Sequence, residues 1–160
     1  MTNKLYSVKN FYLFIFIVSI LTLVGAVYIE YILNAKPCRL CLYQRYPYIV
    51  AIFISFFGYH KYKNKLILYL LTIVFLISLI ISGYHFGIER SFFSDFSGCV
   101  SEDSSIIIKE DLLTNLNELP SNCKDVYFTI FGLSLATINV LISLLIVIIS
   151  VVLIKYEKNR

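Results

Sequence analysis

Four long apolar runs, at residues 11–33, 42–59, 66–84 and 128–154, constrain the fold of this chain more than any other feature. About 20 helical residues, with a range of roughly 17 to 25, cross the hydrocarbon core of a bilayer. The chain is 59% hydrophobic and 15% charged, whereas soluble domains average about 45–50% apolar and about 25% charged residues. We therefore predict an all-α membrane protein, a bundle of four transmembrane helices in a single domain over residues 1–160.

Two of the four runs have unusual features. The first follows Lys4 and Lys9, as the apolar region of a signal peptide does, but it exceeds the usual length of roughly 7 to 15 residues and no A-x-A-like cleavage site follows. We predict an uncleaved anchor. The second run is the most polar of the four, because it includes Gln44, Arg45 and Pro47.

The lysines and arginines predict the orientation of the bundle. Eight of them lie in the N-terminal segment, the 60–65 connection and the C-terminal segment. Six lie in residues 34–45 and 85–127, and the second of these segments also carries eight acidic residues. Basic residues favour the cytoplasmic side, so both termini are predicted to be cytoplasmic. The net charge of +4 follows from this topology and does not indicate nucleic-acid binding.

All four cysteines then lie on the external side, where disulfides can persist if the compartment is oxidising. Cys38 and Cys41 belong to the first external segment, and Cys99 and Cys123 belong to the long second loop. In that loop, apolar residues recur at helical spacing and predict a short amphipathic helix, either flat on the membrane surface or packed on the end of the bundle. They are Ile108, Leu112, Leu116 and Leu119.

The Cys38-x-x-Cys41 pair is typical of thiol exchange. A purely structural bridge there closes a ring of about four residues and stabilises by roughly 2 kcal/mol, against about 3.5 kcal/mol for the ring of about 25 residues from Cys99 to Cys123. At a helix start, the helix N-terminus favours a thiolate, and a nearby second thiol can resolve a mixed disulfide. Redox activity is therefore favoured, with a structural bridge and metal ligation as alternatives.

Arg45 strengthens the redox interpretation. Pro37 favours a first helical turn, so Cys38, Cys41 and Arg45 are predicted to lie on one helical stripe. The guanidinium can favour a Cys41 thiolate and can donate hydrogen bonds to a carbonyl-bearing ligand dissolved in the lipid. The alternative is an arginine that extends to the headgroups. Glu30, between Tyr28 and Tyr31, is predicted to be an interfacial anchor whose carboxylate reaches the headgroups.

Three motifs carry a resemblance to a known family. PCRLCLYQR, residues 37–45, resembles the P-C-x-L-C-x-x-x-R signature of the disulfide-bond formation protein B (DsbB) family, which opens the second of its four helices. GYHFGIE, residues 83–89, resembles the family's YHxGVE stretch, and FGLSLATIN, residues 131–139, is similar to its FLGLSMPxWN. Tyr127, Ala136 and Ile138 depart from the tryptophan, proline and tryptophan common at these positions.

The resemblance implies a quinone-dependent thiol oxidase of the bacterial inner membrane, with its cysteines on the periplasmic side. It would reoxidise a soluble periplasmic protein of the thioredoxin-like DsbA type and so support disulfide formation in exported proteins. The implied disulfides are Cys38–Cys41 and Cys99–Cys123. Cys99 would form the mixed disulfide with the partner, Cys123 would then pair with Cys38, and Cys41 would pass electrons to ubiquinone or menaquinone.

The same resemblance places His85 and Glu89 near the quinone ring, where a histidine could donate a hydrogen bond or help deliver a proton. The alternative is that they bond to each other or to headgroups. No metal is predicted.

Two other classes of protein remain. One is a non-enzymatic four-helix membrane protein with two structural bridges. The other is an oxidase like vitamin K epoxide reductase, in which the helix-associated Cys-x-x-Cys belongs to the last span, whereas here it opens the second.

Overall fold

The computed structural model describes residues 5–62, 64–93, 129–130 and 132–158. Within these ranges, four helical segments are long and apolar enough to cross a membrane, namely Val8–Tyr31, Arg39–His60, Lys65–Glu89 and Leu135–Tyr156. The prediction of an all-α protein with four such helices is confirmed, and the orientation of the bundle stays a prediction. The elements in chain order are α1 (Leu5–Tyr31), α2 (Arg39–Tyr43), α3 (Arg45–His60), α4 (Lys65–Glu89), β1 (Thr129–Ile130), β2 (Leu133–Ser134) and α5 (Leu135–Lys158).

The second span is built from two helices, α2 and α3, which meet at Gln44. This residue keeps helical backbone angles, φ −67° and ψ −17°, and its N–H donates to the carbonyl of Leu40. The helical path therefore continues from Arg39 to His60 in spite of Pro47, which lies in the first turn of α3, where a missing N–H is tolerated.

The fourth helix begins at Leu135, seven residues later than the apolar run at 128 suggests. Strands β1 and β2 form a short antiparallel hairpin before it, with Thr129 opposite Ser134. Gly132 has φ +79°, a backbone conformation that favours glycine. The hydroxyl of Ser134 then accepts the N–H of Thr137 at 3.1 Å and caps α5.

The helices follow one another in space: α1 packs on α3, α3 packs on α4, and α4 packs on α5. Lipid gives little hydrophobic drive to helix association, so small residues and polar contacts hold such bundles together. Serines are buried on all four long helices, and the hydroxyls of Ser78 and Ser143 lie 3.0 Å apart between α4 and α5. The buried serines on these helices are Ser19, Ser55, Ser78, Ser82, Ser143 and Ser150.

Contacts at both ends hold α1 against α3. At the end of the bundle that carries Cys38, hereafter the cysteine end, Nη1 of Arg45 lies 2.6 Å from Oε2 of Glu30, and each side chain is 23% exposed. At the opposite end, Nζ of Lys9 lies 4.5 Å from the ring centroid of Tyr59. The two helices are therefore antiparallel neighbours along their whole length.

Several predicted features lie outside the described residues. They are Cys99, Cys123 and the amphipathic helix predicted around Ile108 to Leu119.

We predict that Gly58→Ala destabilises the bundle. A Cβ at Gly58 would lie 2.5 Å from a ring carbon of Tyr12, and that ring is fully buried, so it has little room to move. Overpacking of this kind costs about 1–3 kcal/mol, which a lower thermal midpoint in detergent would reveal. Gly25→Ala is the control, because a Cβ there meets nothing within 4 Å; equal midpoints for the two variants would contradict the prediction.

We also predict energetic coupling between Glu30 and Arg45. A double-mutant cycle with Glu30→Gln and Arg45→Met is expected to give about 1–2 kcal/mol, because the pair is only partly exposed. The free energy of unfolding in detergent is the measured quantity. Arg39→Met, which removes an exposed arginine of α2, is the control and should be additive with Glu30→Gln.

Candidate functional site

Cys38 is the N-cap of α2. Its backbone is extended, with φ −73° and ψ 167°, and its Sγ accepts the N–H of Cys41 at 3.3 Å. Pro37 lies just before the cap, outside the first turn in which the sequence places it, because the sulfur of Cys38 supplies the acceptor that begins the helix. Cys38 therefore caps the N-terminus of α2 and is also one half of the Cys-x-x-Cys pair.

The two sulfurs of this pair lie 3.1 Å apart and are not bonded to each other. A small rotation of either side chain brings them to the bonding distance of about 2.05 Å. Cys38 is 5% exposed and packs against Leu40 and Ile88, whereas Cys41 is more open. The pair thus has one inner sulfur and one outer sulfur.

The inner sulfur holds its proton tightly. The S–H of Cys38 donates to Cys41, and this hydrogen bond, together with burial, raises the pKa of Cys38 to about 12, while contact with His85 acts in the opposite direction. At neutral pH, Cys38 is therefore a thiol that donates to its partner sulfur.

Helix α4 brings His85 to the same sulfur. Nε2 of His85 lies 3.6 Å from Sγ of Cys38 and 3.8 Å from Oε1 of Glu89. The other carboxylate oxygen of Glu89 accepts the hydroxyl of Ser134 at 2.5 Å, and Ser134 in turn caps α5. His85 and Glu89 are thus held inside the bundle and lie against each other, as one form of the alternative interpretation expects.

A chain of polar side chains continues from His85 across the bundle. Nε2 of Gln44 lies 2.9 Å from Nδ1 of His85, and Oε1 of Gln44 accepts from Nδ2 of Asn139, also at 2.9 Å. Oδ1 of Asn139 accepts the hydroxyl of Tyr48. We call Tyr48, Asn139 and Gln44 the amide relay. Asn139 of α5 is thereby joined to Tyr48 of α3 and to Gln44, the residue between α2 and α3.

Sequence reasoning singled out neither the relay nor Glu30 as part of the site. Gln44 and Asn139 both lie in motifs that carry the family resemblance, and amides within apolar spans are expensive enough to suggest a role. That signal could have found them. Glu30 was predicted to reach headgroups, and the structure instead pairs it with Arg45, one turn after Cys41.

The chain leaving α4 turns back over the site. Ser91 has φ 60°, and the N–H of Phe92 donates to the carbonyl of Gly87 at 2.8 Å. The ring of Phe93 stacks on Tyr84 with centroids 5.8 Å apart and covers Gly87, where a Cβ would lie 2.3 Å from that ring. The chain after α4 therefore passes directly beside the helix end that carries His85.

In chemical terms, the cysteine end combines a thiol pair, an imidazole, a carboxylate and a guanidinium. The pair can cycle between dithiol and disulfide, and Arg45 and His85 are hydrogen-bond donors. Sγ of Cys38, Sγ of Cys41 and a ring nitrogen of His85 all lie within 4.8 Å of one another, which is close enough to ligate a thiophilic cation if the ring nitrogen offers its lone pair.

Comparisons with known proteins point to one family. The family model described as "Disulfide bond formation protein DsbB" matches residues 8–153. A protein of Rickettsia prowazekii described as "Uncharacterized protein RP370" is 30% identical over 162 residues, covering 97% of this chain and 91% of that protein.

A second relative has a functional description. "Probable disulfide formation protein C" of Halalkalibacterium halodurans is 32% identical over 83 residues, which is 52% of this chain and 60% of that protein. The chain is a membrane protein with a role in disulfide bond formation, and it belongs to the DsbB family.

Proposed function

We propose that this protein is a quinone-dependent thiol oxidase that reoxidises a DsbA-like periplasmic protein and passes the electrons to ubiquinone or menaquinone. The observation that carries the proposal is the pair of sulfurs 3.1 Å apart at a helix start, with His85 beside the Cys38 sulfur. The bacterial inner membrane, with the cysteines facing the periplasm, is part of the proposal.

The residues at the cysteine end fit a quinone. Its ring carbonyls accept hydrogen bonds, and Arg45 and His85 supply a guanidinium and an imidazole for that purpose. Leu42, Tyr43 and Tyr46 are exposed near Arg45 and give an apolar surface open to lipid. A bound quinone supplies an acceptor for two electrons and two protons.

The thiol steps balance as a relay of two electrons. A thiolate of the reduced partner attacks Cys99 of a Cys99–Cys123 disulfide and releases Cys123, and the partner's second thiol then displaces Cys99. The Cys123 thiolate attacks Cys38 of the Cys38–Cys41 disulfide, called the inner pair, and releases Cys41. Cys99 then displaces Cys38 from Cys123. The partner leaves with a disulfide, the loop disulfide is restored, and Cys38 and Cys41 hold the two electrons.

Each residue of the inner site has a role in this scheme. Cys41, the more open sulfur, faces the acceptor, while Cys38 returns to the protonated state that its contacts with Cys41 and its burial favour. Arg45 stabilises negative charge on Cys41, and Glu30 holds the guanidinium in place at 2.6 Å. His85 faces the Cys38 sulfur through Nε2 at 3.6 Å and donates to it.

A structural-bridge protein would have no need for such surroundings. Burying polar groups next to a disulfide is costly unless each is paired, and a disulfide that only bridges the chain does not require an imidazole 3.6 Å from its sulfur. The position of the Cys-x-x-Cys pair at the start of the second span also separates this chain from the vitamin K epoxide reductase type.

We predict that Cys41→Ser and Cys38→Ser each abolish quinone reduction, because a single sulfur cannot pass from dithiol to disulfide. The measurement is the loss of quinone absorbance with purified protein, ubiquinone-1 and a reduced DsbA-like partner. Thr72→Val, a buried substitution on α4 that removes a hydroxyl bonded to the carbonyl of Leu68, is the control and should retain activity. Full turnover by either cysteine variant would remove the redox assignment.

We predict that Cys99 forms the mixed disulfide with the partner. In a Cys123→Ser background, a covalent complex with the DsbA-like protein should accumulate and disappear on addition of reductant, since the resolving thiol is missing. Non-reducing electrophoresis detects it. The matched variant is Cys99→Ser with Cys123 intact; if only this variant forms the adduct, the order of the two cysteines is reversed.

A further inference from the structure

The hydrogen bonds of the amide relay have a direction. The Tyr48 hydroxyl donates to Oδ1 of Asn139. Nδ2 of the same amide then donates to Oε1 of Gln44. With its oxygen used as an acceptor, Gln44 presents its NH₂ group to Nδ1 of His85 at 2.9 Å. Ser143 adds a second hydroxyl to Oδ1 of Asn139 at 3.4 Å and reinforces the same orientation.

This direction decides which nitrogen of His85 carries the proton. In a neutral imidazole one ring nitrogen is a donor and the other an acceptor. Because Nδ1 accepts the Gln44 N–H, Nε2 must hold the hydrogen. Nε2 faces Sγ of Cys38 at 3.6 Å and Oε1 of Glu89 at 3.8 Å, and both of these atoms can accept it.

We propose that Gln44 and Asn139 are positioning residues that hold His85 in its Nε2–H form, so that the ring donates toward the Cys38 sulfur and is closed to metal ions. The part of this inference that concerns catalysis rests on the proposed function. The tautomer and the metal exclusion do not depend on it.

The metal exclusion follows from lone pairs. Reduced Cys38 and Cys41 with His85 form a compact set of three ligand atoms, and such a set would hold Zn²⁺ well if the imidazole offered Nε2. A metal needs the lone pair of that nitrogen, and then Nδ1 must carry the hydrogen and find an acceptor. The relay presents a donor there. A reduced thiol pair in this site is thereby kept available for oxidation.

The test uses the full chain in detergent with Cys99→Ser and Cys123→Ser, so that only the inner pair can bind metal. Two measurements are made on the reduced protein: ¹⁵N NMR of labelled histidine, which distinguishes protonated from unprotonated ring nitrogens, and Zn²⁺ affinity by competition with a chromophoric chelator. The chain has two histidines, and His60→Gln assigns the signals. Asn139→Leu and Gln44→Met remove the relay at two different steps, and Thr72→Val is the buried control on α4.

The parent protein is expected to show an unprotonated Nδ1 and a protonated Nε2. Asn139→Leu, which does not touch His85, should give a mixture of tautomers and bind Zn²⁺ about 10-fold more tightly or better, as should Gln44→Met. Thr72→Val should change neither. A protonated Nδ1 in the parent protein overturns the inference without any variant, and so do unchanged tautomer and Zn²⁺ affinity in both relay variants.

The effect on catalysis is measured separately, in the protein with all four cysteines. Asn139→Leu should lower the kcat of quinone reduction by about 10-fold while Thr72→Val leaves it unchanged. An altered tautomer with an unaltered kcat overturns the positioning role. If the parent protein shows the expected tautomer and yet reduces no quinone, the proposed function fails and the relay stands.

Discussion

The capping of α2 by the Cys38 sulfur is the interaction on which the site depends. One atom accepts the Cys41 N–H, lies 3.1 Å from the Cys41 sulfur and lies 3.6 Å from the ring of His85. The cap fixes where the second span begins, and it thereby fixes the separation of the two thiols and the distance of both from α4. A residue that only capped the helix would not set the distance between the two sulfurs. A residue that only carried a thiol would not set the start of the helix.

The contacts that hold the bundle together are largely the contacts that form the site. Apolar side chains alone give helices in lipid little reason to associate in one arrangement. Here α1 and α3 are joined by Glu30 and Arg45, and α3, α4 and α5 are joined through Tyr48, His85 and Asn139. Polar groups in such surroundings are costly unless every partner is present. At the cysteine end, the same polar contacts therefore both pack the helices and form the site.

The sequence predicted the four spans and the residues Cys38, Cys41, Arg45, His85 and Glu89, because apolar length and short motifs are local properties. It placed the start of the fourth helix too early, since the hairpin before Leu135 is nearly as apolar as the helix. It also missed the partners of Arg45 and His85. Glu30 meets Arg45, and Gln44 meets His85, only after separate helices have packed, and periodicity along one helix carries no information about which residues face each other across the bundle.

The central claim is that the inner cysteine pair exchanges electrons with an acceptor carried by the membrane. Thiol trapping in intact membranes tests it most directly, by alkylating Cys38 and Cys41 in cells supplied with quinone and in cells deprived of it. We expect a disulfide when quinone is present and two alkylated thiols when it is withheld. A pair that stays oxidised in both conditions would contradict the account and would leave a structural bridge.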